Sequence, residues 1–112
     1  MSGPMVLPGG TLGILGGGQL GRMMALAART LGYQVQALDP DSACPSRSVV
    51  DRCLTASFTD TAAAEDLARQ CDVVTLEIEK VSLATLNAVS RHAPMRPGAS
   101  VLEVVQHRGR QK

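Results

Sequence analysis

Four glycines crowd one short segment, with Gly16, Gly18 and Gly21 in a Gly-x-Gly-x-x-Gly arrangement and Gly17 between the first two. A short apolar run, Thr11 to Leu15, precedes them, and a helical pattern follows. That order is the one in which a strand turns tightly into a helix whose first N–H groups face an anion, often a phosphate. In this reading Gly16 permits the turn and Gly18 lets a ligand approach the backbone. Gly21 lets the helix pack closely. A glycine-rich turn with no ligand is the plain alternative. A P-loop is excluded, because that motif places Lys and then Ser or Thr after its last glycine, and Gly21 is followed by Arg22 and Met23.

Two further places carry carboxylates where a sheet would gather them. Asp39 lies 18 residues after Gly21, at the end of a second apolar run and before Pro40. In dinucleotide-binding proteins an acid at about this distance takes a ribose hydroxyl, so a nicotinamide cofactor is a possible reading. A turn aspartate is the other. Glu77-Ile78-Glu79 follows the apolar run Val73 to Leu76. Open α/β sheets bind ligands beyond the carboxyl ends of their strands, so Glu77 is expected to face the glycine-loop crevice and accept hydrogen bonds from hydroxyls or amines. Solvated loop glutamates are the alternative for Glu77 and Glu79.

The remaining reactive side chains give less. His92 and His107 have no metal-ligand spacing and read as surface histidines. Cys44, Cys53 and Cys71 are odd in number and lack Cys-x-x-Cys spacing, which reads as reduced thiols of a cytosolic protein rather than a disulfide framework or zinc site. The basic end, His107-Arg108-Gly109-Arg110-Gln111-Lys112, is too short for a nucleic-acid tail.

The elements that must position these groups alternate. A strand over Thr11 to Leu15 leads to a helix over Gln19 to Leu31, with Leu20, Met23, Met24, Ala27 and Leu31 as its apolar stripe and Gly32 at its C-terminal cap. A second strand spans Tyr33 to Leu38, a loop Asp41 to Ser48, and a third strand Arg52 to Ser57. Thr59, Asp60 or Thr61 can cap a helix over Ala62 to Gln70, with Glu65 and Asp66 near its start and Arg69 near its end to suit the helix dipole. Val73 to Leu76 is a strand covered on both faces. Ser82 caps a helix through Ser90 that shows Leu83, Leu86 and Val89 on one face. Met95-Arg96 is a short edge strand. Ser100-x-x-Glu103 is a capping box opening a last helix to about Arg108. Alternation of this kind gives a parallel sheet with helices on both faces.

Size and composition agree. The chain has 112 residues, 45% hydrophobic and 19% charged, with a net charge of +1. This describes one ordinary globular domain, not a disordered chain. The only rings of Phe, Tyr or Trp type are Tyr33 and Phe58, so a stacking platform for single-stranded nucleic acid is excluded. The first 21 residues carry no charge but hold eight glycines and two prolines. They make neither a membrane helix nor a signal peptide.

Several blocks together resemble the family of 5-(carboxyamino)imidazole ribonucleotide synthases. They are Gly16-Gly17-Gly18-Gln19-Leu20-Gly21-Arg22-Met23, Leu38-Asp39-Pro40, Val50-Asp51-Arg52, Cys71 to Glu79, and Gln106-x-Arg108-x-x-x-Lys112, in that order. The resemblance implies a Rossmann-like pre-ATP-grasp domain of an ATP-grasp ligase of purine synthesis. Such a ligase uses ATP, Mg2+ and bicarbonate to carboxylate the amine of 5-aminoimidazole ribonucleotide. It implies a ribonucleotide site at Gly18, Gln19, Leu20 and Glu77, with Arg108 and Lys112 at the edge of an ATP site. His107 stands where the family has an acid, and Gly109 where it has a bulkier residue. No catalytic or metal-binding residue is expected in the chain. It further implies a cytoplasmic protein, homodimeric at full length, with no nucleic-acid or membrane partner.

The expected organisation is a flexible leader at residues 1–10, one domain at 11–100, and a helix at 101–112 leading toward an ATP-grasp domain. The 112 residues thus read as the opening third of a longer ligase, inactive alone. An NAD(P)-binding oxidoreductase domain and a non-catalytic dimerisation module are the alternatives.

Overall fold

The structure is a computed structural model that describes residues 10–76 and 81–97. Residues 1–9 of the expected leader at 1–10, the Ser100–Glu103 capping box and the final helix lie outside the described residues, as do Glu77, Glu79, His107, Arg108 and Lys112.

Strand β1 (Thr11–Leu15) leads through the glycine loop into helix α1 (Gln19–Thr30). Strand β2 (Gln34–Asp39) follows, then a 3-10 helix (Pro45–Val49) and β3 (Arg52–Thr55). Helix α2 (Thr61–Arg69), β4 (Val73–Leu76), α3 (Leu83–Ser90) and β5 (Met95–Pro97) complete the order. The strands form one parallel sheet in the order β3-β2-β1-β4-β5. The chain runs outward from β1 to one edge, returns, and fills the other side. The direction therefore switches between β1 and β4, where Leu15 pairs with Leu76.

Two aspartates start the parallel pairs at the end of the sheet opposite the glycine loop. Asp72 Oδ2 accepts from Thr11 N at 2.8 Å, and Asp72 N donates to Thr11 O at 2.8 Å. Asp51 treats Val35 alike, at 2.7 and 2.8 Å. Each carboxylate satisfies an N–H that lacks a ladder partner, which fixes register at the first residue of the pair.

Successive strand residues alternate between two cores. Leu12, Ile14, Val35, Ala37 and Val73 face α1 through Met24, Ala25 and Ala28. Leu15, Leu38, Val74 and Leu76 face α2 and α3 through Leu67, Ala68 and Val89. Helices therefore cover both faces, as the pattern of elements predicts.

Four expectations change. Of the expected α1 stripe, Met24 is buried and Ala27 and Leu31 pack against the core, but Leu20 and Met23 face outward, and Gly21, Ala25 and Ala28 complete the buried face. Leu20 is 37% and Met23 53% exposed. Small residues dominate the face toward the sheet because the helix sits close to it, with Met24 as the large side chain there, while Leu20, Met23 and Leu26 turn outward. On α3 the buried positions are Thr85, Ala88 and Val89, with Leu83 exposed. Thr85 belongs inside because its hydroxyl donates to the Phe58 carbonyl at 2.8 Å. Glu65 and Asp66 lie beyond the first turn of α2, which holds no acid. Their partners are tertiary: Asp66 takes Arg52 at 2.8 Å, and Glu65 takes His92 at 3.1 Å and Arg91 at 3.8 Å. The stretch expected to be loop, Asp41 to Ser48, also contains most of the 3-10 helix.

Candidate functional site

The glycine loop is held by contacts at every residue but one. Gly16 has φ +123°, a conformation that side chains rarely adopt, and its N–H donates to Leu38 O at 2.9 Å. Gly17 donates to Asp39 Oδ2 at 2.8 Å and accepts from Ser46 N at 2.9 Å. A Cβ on Gly17 would stand 2.6 Å from both Cys44 Sγ and Ser46 Oγ. A Cβ on Gly21 would overlap the carbonyl oxygen of Gly16. Gly18 differs, since a Cβ there would meet nothing within 4 Å and its φ of −73° suits any residue. No internal contact requires glycine at that position.

Gly18 is also the N-cap of α1, and it supplies no side-chain cap. Its carbonyl accepts the first helical bond, from Arg22 N at 2.9 Å. The N–H groups ahead of that bond have no intrahelical partner. The first turn holds no acid, and Gln19 and Leu20 beside it are exposed. An uncapped helix N-terminus, open on the outside and without negative charge on its own first turn, is suited to an oxyanion. It stands at the carboxyl end of β1, next to the switch between β1 and β4.

Asp39 is where sequence reasoning left two readings open, and the geometry separates them. Oδ2 accepts from Gly17 N and Oδ1 from Asp41 N, each at 2.8 Å. The carboxylate thus closes a turn and braces the glycine loop together. Each oxygen holds one backbone donor, so the structure shows the turn role directly.

Among the expected site residues, Gly18, Gln19 and Leu20 come together at the start of α1. Glu77 follows Leu76, the last residue of β4, but itself lies outside the described residues. Sequence reasoning missed Ser46 and Cys44, which form the floor under Gly17. The only sequence signal was the Cys44-Pro45-Ser46 turn composition, and nothing in it named the loop it would touch. No group of three or more His, Cys, Asp or Glu among the described residues could hold a metal ion. No helix among them is long and apolar enough to cross a membrane.

The sulfurs divide. Cys71 is buried behind Gly13, where a Cβ would stand 2.8 Å from its Sγ. Burial, with Asp72 adding to it, pushes this thiol up to about 12. Cys44 and Cys53 instead approach each other, with their Sγ atoms 4.0 Å apart.

Comparison with known proteins fits this geometry. The profile of the ribonucleotide synthetase preATP-grasp domain matches residues 10–106. An N5-carboxyaminoimidazole ribonucleotide synthase of Brucella melitensis biotype 1 is 40% identical over 105 residues, covering 94% of this chain and 29% of its own. A crystal structure of an N5-carboxyaminoimidazole ribonucleotide synthetase in complex with ADP superposes with a TM-score of 0.76 at 46% identity, over 81% of this chain and 24% of that one. The Staphylococcus aureus N5-carboxyaminoimidazole synthetase, also with ADP, gives 0.75 at 37% identity, over 87% of this chain and 26% of that one. The chain spans less than a third of the length of the curated relatives it matches.

Proposed function

Because the chain belongs to the ribonucleotide synthetase preATP-grasp domain family, we propose that it holds the ribonucleotide for a ligase that carboxylates the amine of 5-aminoimidazole ribonucleotide. The observation that carries this reading is the uncapped N-terminus of α1 at Gly18, facing open space beside the switch in strand order. In this proposal the first-turn N–H groups receive the ligand's phosphate or ribose oxygens. Gln19 offers an amide for hydrogen bonding, and Leu20 an apolar surface for the ring. Glu77 accepts from a hydroxyl or the amine.

The ligase would take ATP, Mg2+ and bicarbonate as well. Its nucleotide edge would include Arg108 and Lys112, where a guanidinium and an ammonium pair with phosphate. ATP in a ligase of this kind supplies the activation of bicarbonate. The described residues contain no cluster that fits Mg2+, so no step through the metal is assigned to them. The reading makes this domain the binding half of a cytoplasmic, homodimeric enzyme, inactive without an ATP-grasp domain.

The test is a titration of the purified chain with 5-aminoimidazole ribonucleotide and, separately, with NADH, followed by backbone amide shifts. Saturable ribonucleotide binding with shifts concentrated at Gly17 to Gly21 is expected. Saturable NADH binding with no ribonucleotide effect would transfer the domain to the oxidoreductases.

A further inference from the structure

Cys44 and Cys53 are nine residues apart in sequence, and their Sγ atoms stand 4.0 Å from each other. A disulfide needs about 2.05 Å, so closure requires roughly 2 Å of sulfur movement. Their surroundings differ in a useful way. Cys53 lies on the edge strand β3 and is partly exposed, whereas Cys44 is 5% exposed, at the start of the 3-10 helix. Cys53 is thus the more accessible residue of the two, and Cys44 the buried one.

The buried member is built into the glycine loop. Cys44 Sγ fills the space a Gly17 side chain would occupy. It also contacts Ser46 Oγ at 3.8 Å, while Ser46 N donates to Gly17 O. Cys44 N donates to Asp41 O, and Asp41 N to the same Asp39 carboxylate that holds Gly17 N. A ring of short contacts therefore joins the Cys44 sulfur to Gly17 on both sides. Any displacement of that sulfur toward β3 removes half of the floor under Gly17, leaving Ser46 Oγ as the other half.

We propose that Cys44 and Cys53 form a reversible disulfide that loosens the glycine loop, so that oxidation weakens ligand binding at the start of α1. The oxidant is a low-molecular-weight disulfide. The Cys53 thiolate attacks one of its sulfurs, forming a mixed disulfide and releasing one thiolate. The Cys44 thiolate then attacks Cys53 Sγ, forming the Cys44–Cys53 bond and releasing the second thiolate. The two protons of the protein thiols leave with the two released thiols, and the oxidant takes up two electrons. Burial and then the Cys44 thiol push the Cys53 thiol up, and the Arg47 guanidinium beside it offsets only part of this, so the attack is faster at alkaline pH. Cys71 is excluded from the pair by its place behind Gly13 on the other core.

The effect on binding rests on the proposed ribonucleotide site, whereas the disulfide itself does not. The experiment treats the 112-residue chain with excess glutathione disulfide, or with dithiothreitol as the reduced reference, and then maps tryptic peptides by mass. Arg47 and Arg52 lie between the two cysteines, so the bond appears as two peptides held together. A Cys44–Cys53 link with Cys71 free is expected. A link through Cys71, or a glutathione adduct on Cys53 with no link, overturns the proposal. Backbone amide shifts of the oxidised chain should move at Gly17 and Gly18 without any ligand, and their constancy would refute the coupling to the loop. Ribonucleotide affinity should fall at least about fivefold on oxidation, and not at all in Cys53→Ser. If the reduced chain binds no ribonucleotide, the proposed function fails, and the peptide map and amide shifts still decide the switch.

Discussion

Helices α2 and α3 cover one face of the sheet, and α1 covers the other, and they are finished differently. Asp60 caps α2 by accepting from Ala63 N at 3.0 Å, and Ser82 caps α3 by accepting from Thr85 N at 3.3 Å. Helix α1 begins at a glycine with no cap. The α2 and α3 face is also pinned by ion pairs at Glu65 and Asp66 and filled by Leu38, Leu67 and Val89. The α1 face gains closeness from Gly21, Ala25 and Ala28. The contrast teaches that two helices close their own N-termini with local side chains, whereas the third starts without a side-chain cap among the described residues.

The comparison can be broken at several levels. The largest effect is expected from Leu67→Ala, which opens a cavity in the α2 and α3 core and should cost about 2–5 kcal/mol by urea denaturation. Ribonucleotide affinity of the folded fraction should not change. Gly21→Ala is expected to cost about 1–3 kcal/mol, since its Cβ would meet the Gly16 carbonyl and force the loop to shift. Here affinity should fall together with stability.

The sharpest pair concerns the caps. Asp60→Ala should lose about 1 kcal/mol, because α2 then has no acceptor for its first turn. Gly18→Ser gives α1 the cap it lacks and should gain only a few tenths of a kcal/mol in thermal or urea unfolding. Ribonucleotide binding should nevertheless weaken about tenfold. If Gly18→Ser binds as tightly as the parent, the open helix end is not the ligand site.

The smallest effect is electrostatic. The hydrogen bond from His92 leads in holding Glu65 below its ordinary value of 4.5. A lowered folded pKa stabilises the protein above the unfolded value and is lost as pH falls through the folded one. Unfolding midpoints measured from pH 6 down to about 3 should therefore fall less steeply in Glu65→Gln than in the parent.

Much of this was legible in the sequence for definite reasons. The runs at Thr11–Leu15 and Val73–Leu76 become strands with those bounds, because uninterrupted apolar residues suit strands buried on both faces. Asp60 and Ser82 act as caps as their types predict. Gly32, with φ +92°, terminates α1 as expected. What escaped depends on distance between layers. Periodicity cannot tell that α1 lies so close to the sheet that alanines face inward and Leu20 faces outward. Nor can it tell that Thr85 finds a carbonyl 27 residues away. In the site, the glycine pattern located Gly18 to Leu20 correctly at a helix start, but the dual bond of Asp39 required the loop after β2 to return beneath Gly17.

The reciprocal bonds between Thr11 and Asp72 join positions 61 residues apart. Strand β1 is central, and only one of its edges is completed locally, by β2. During synthesis the other edge must wait for β4. At translation rates of 5–20 residues per second that is roughly 3–12 s. Throughout that interval the unpaired backbone edge of a mostly apolar strand is open to pairing with other chains. Non-local parallel pairing is also slow to form once the partner arrives. The same strand order thus leaves the nascent chain open to mispairing, and its yield on refolding should fall as protein concentration rises.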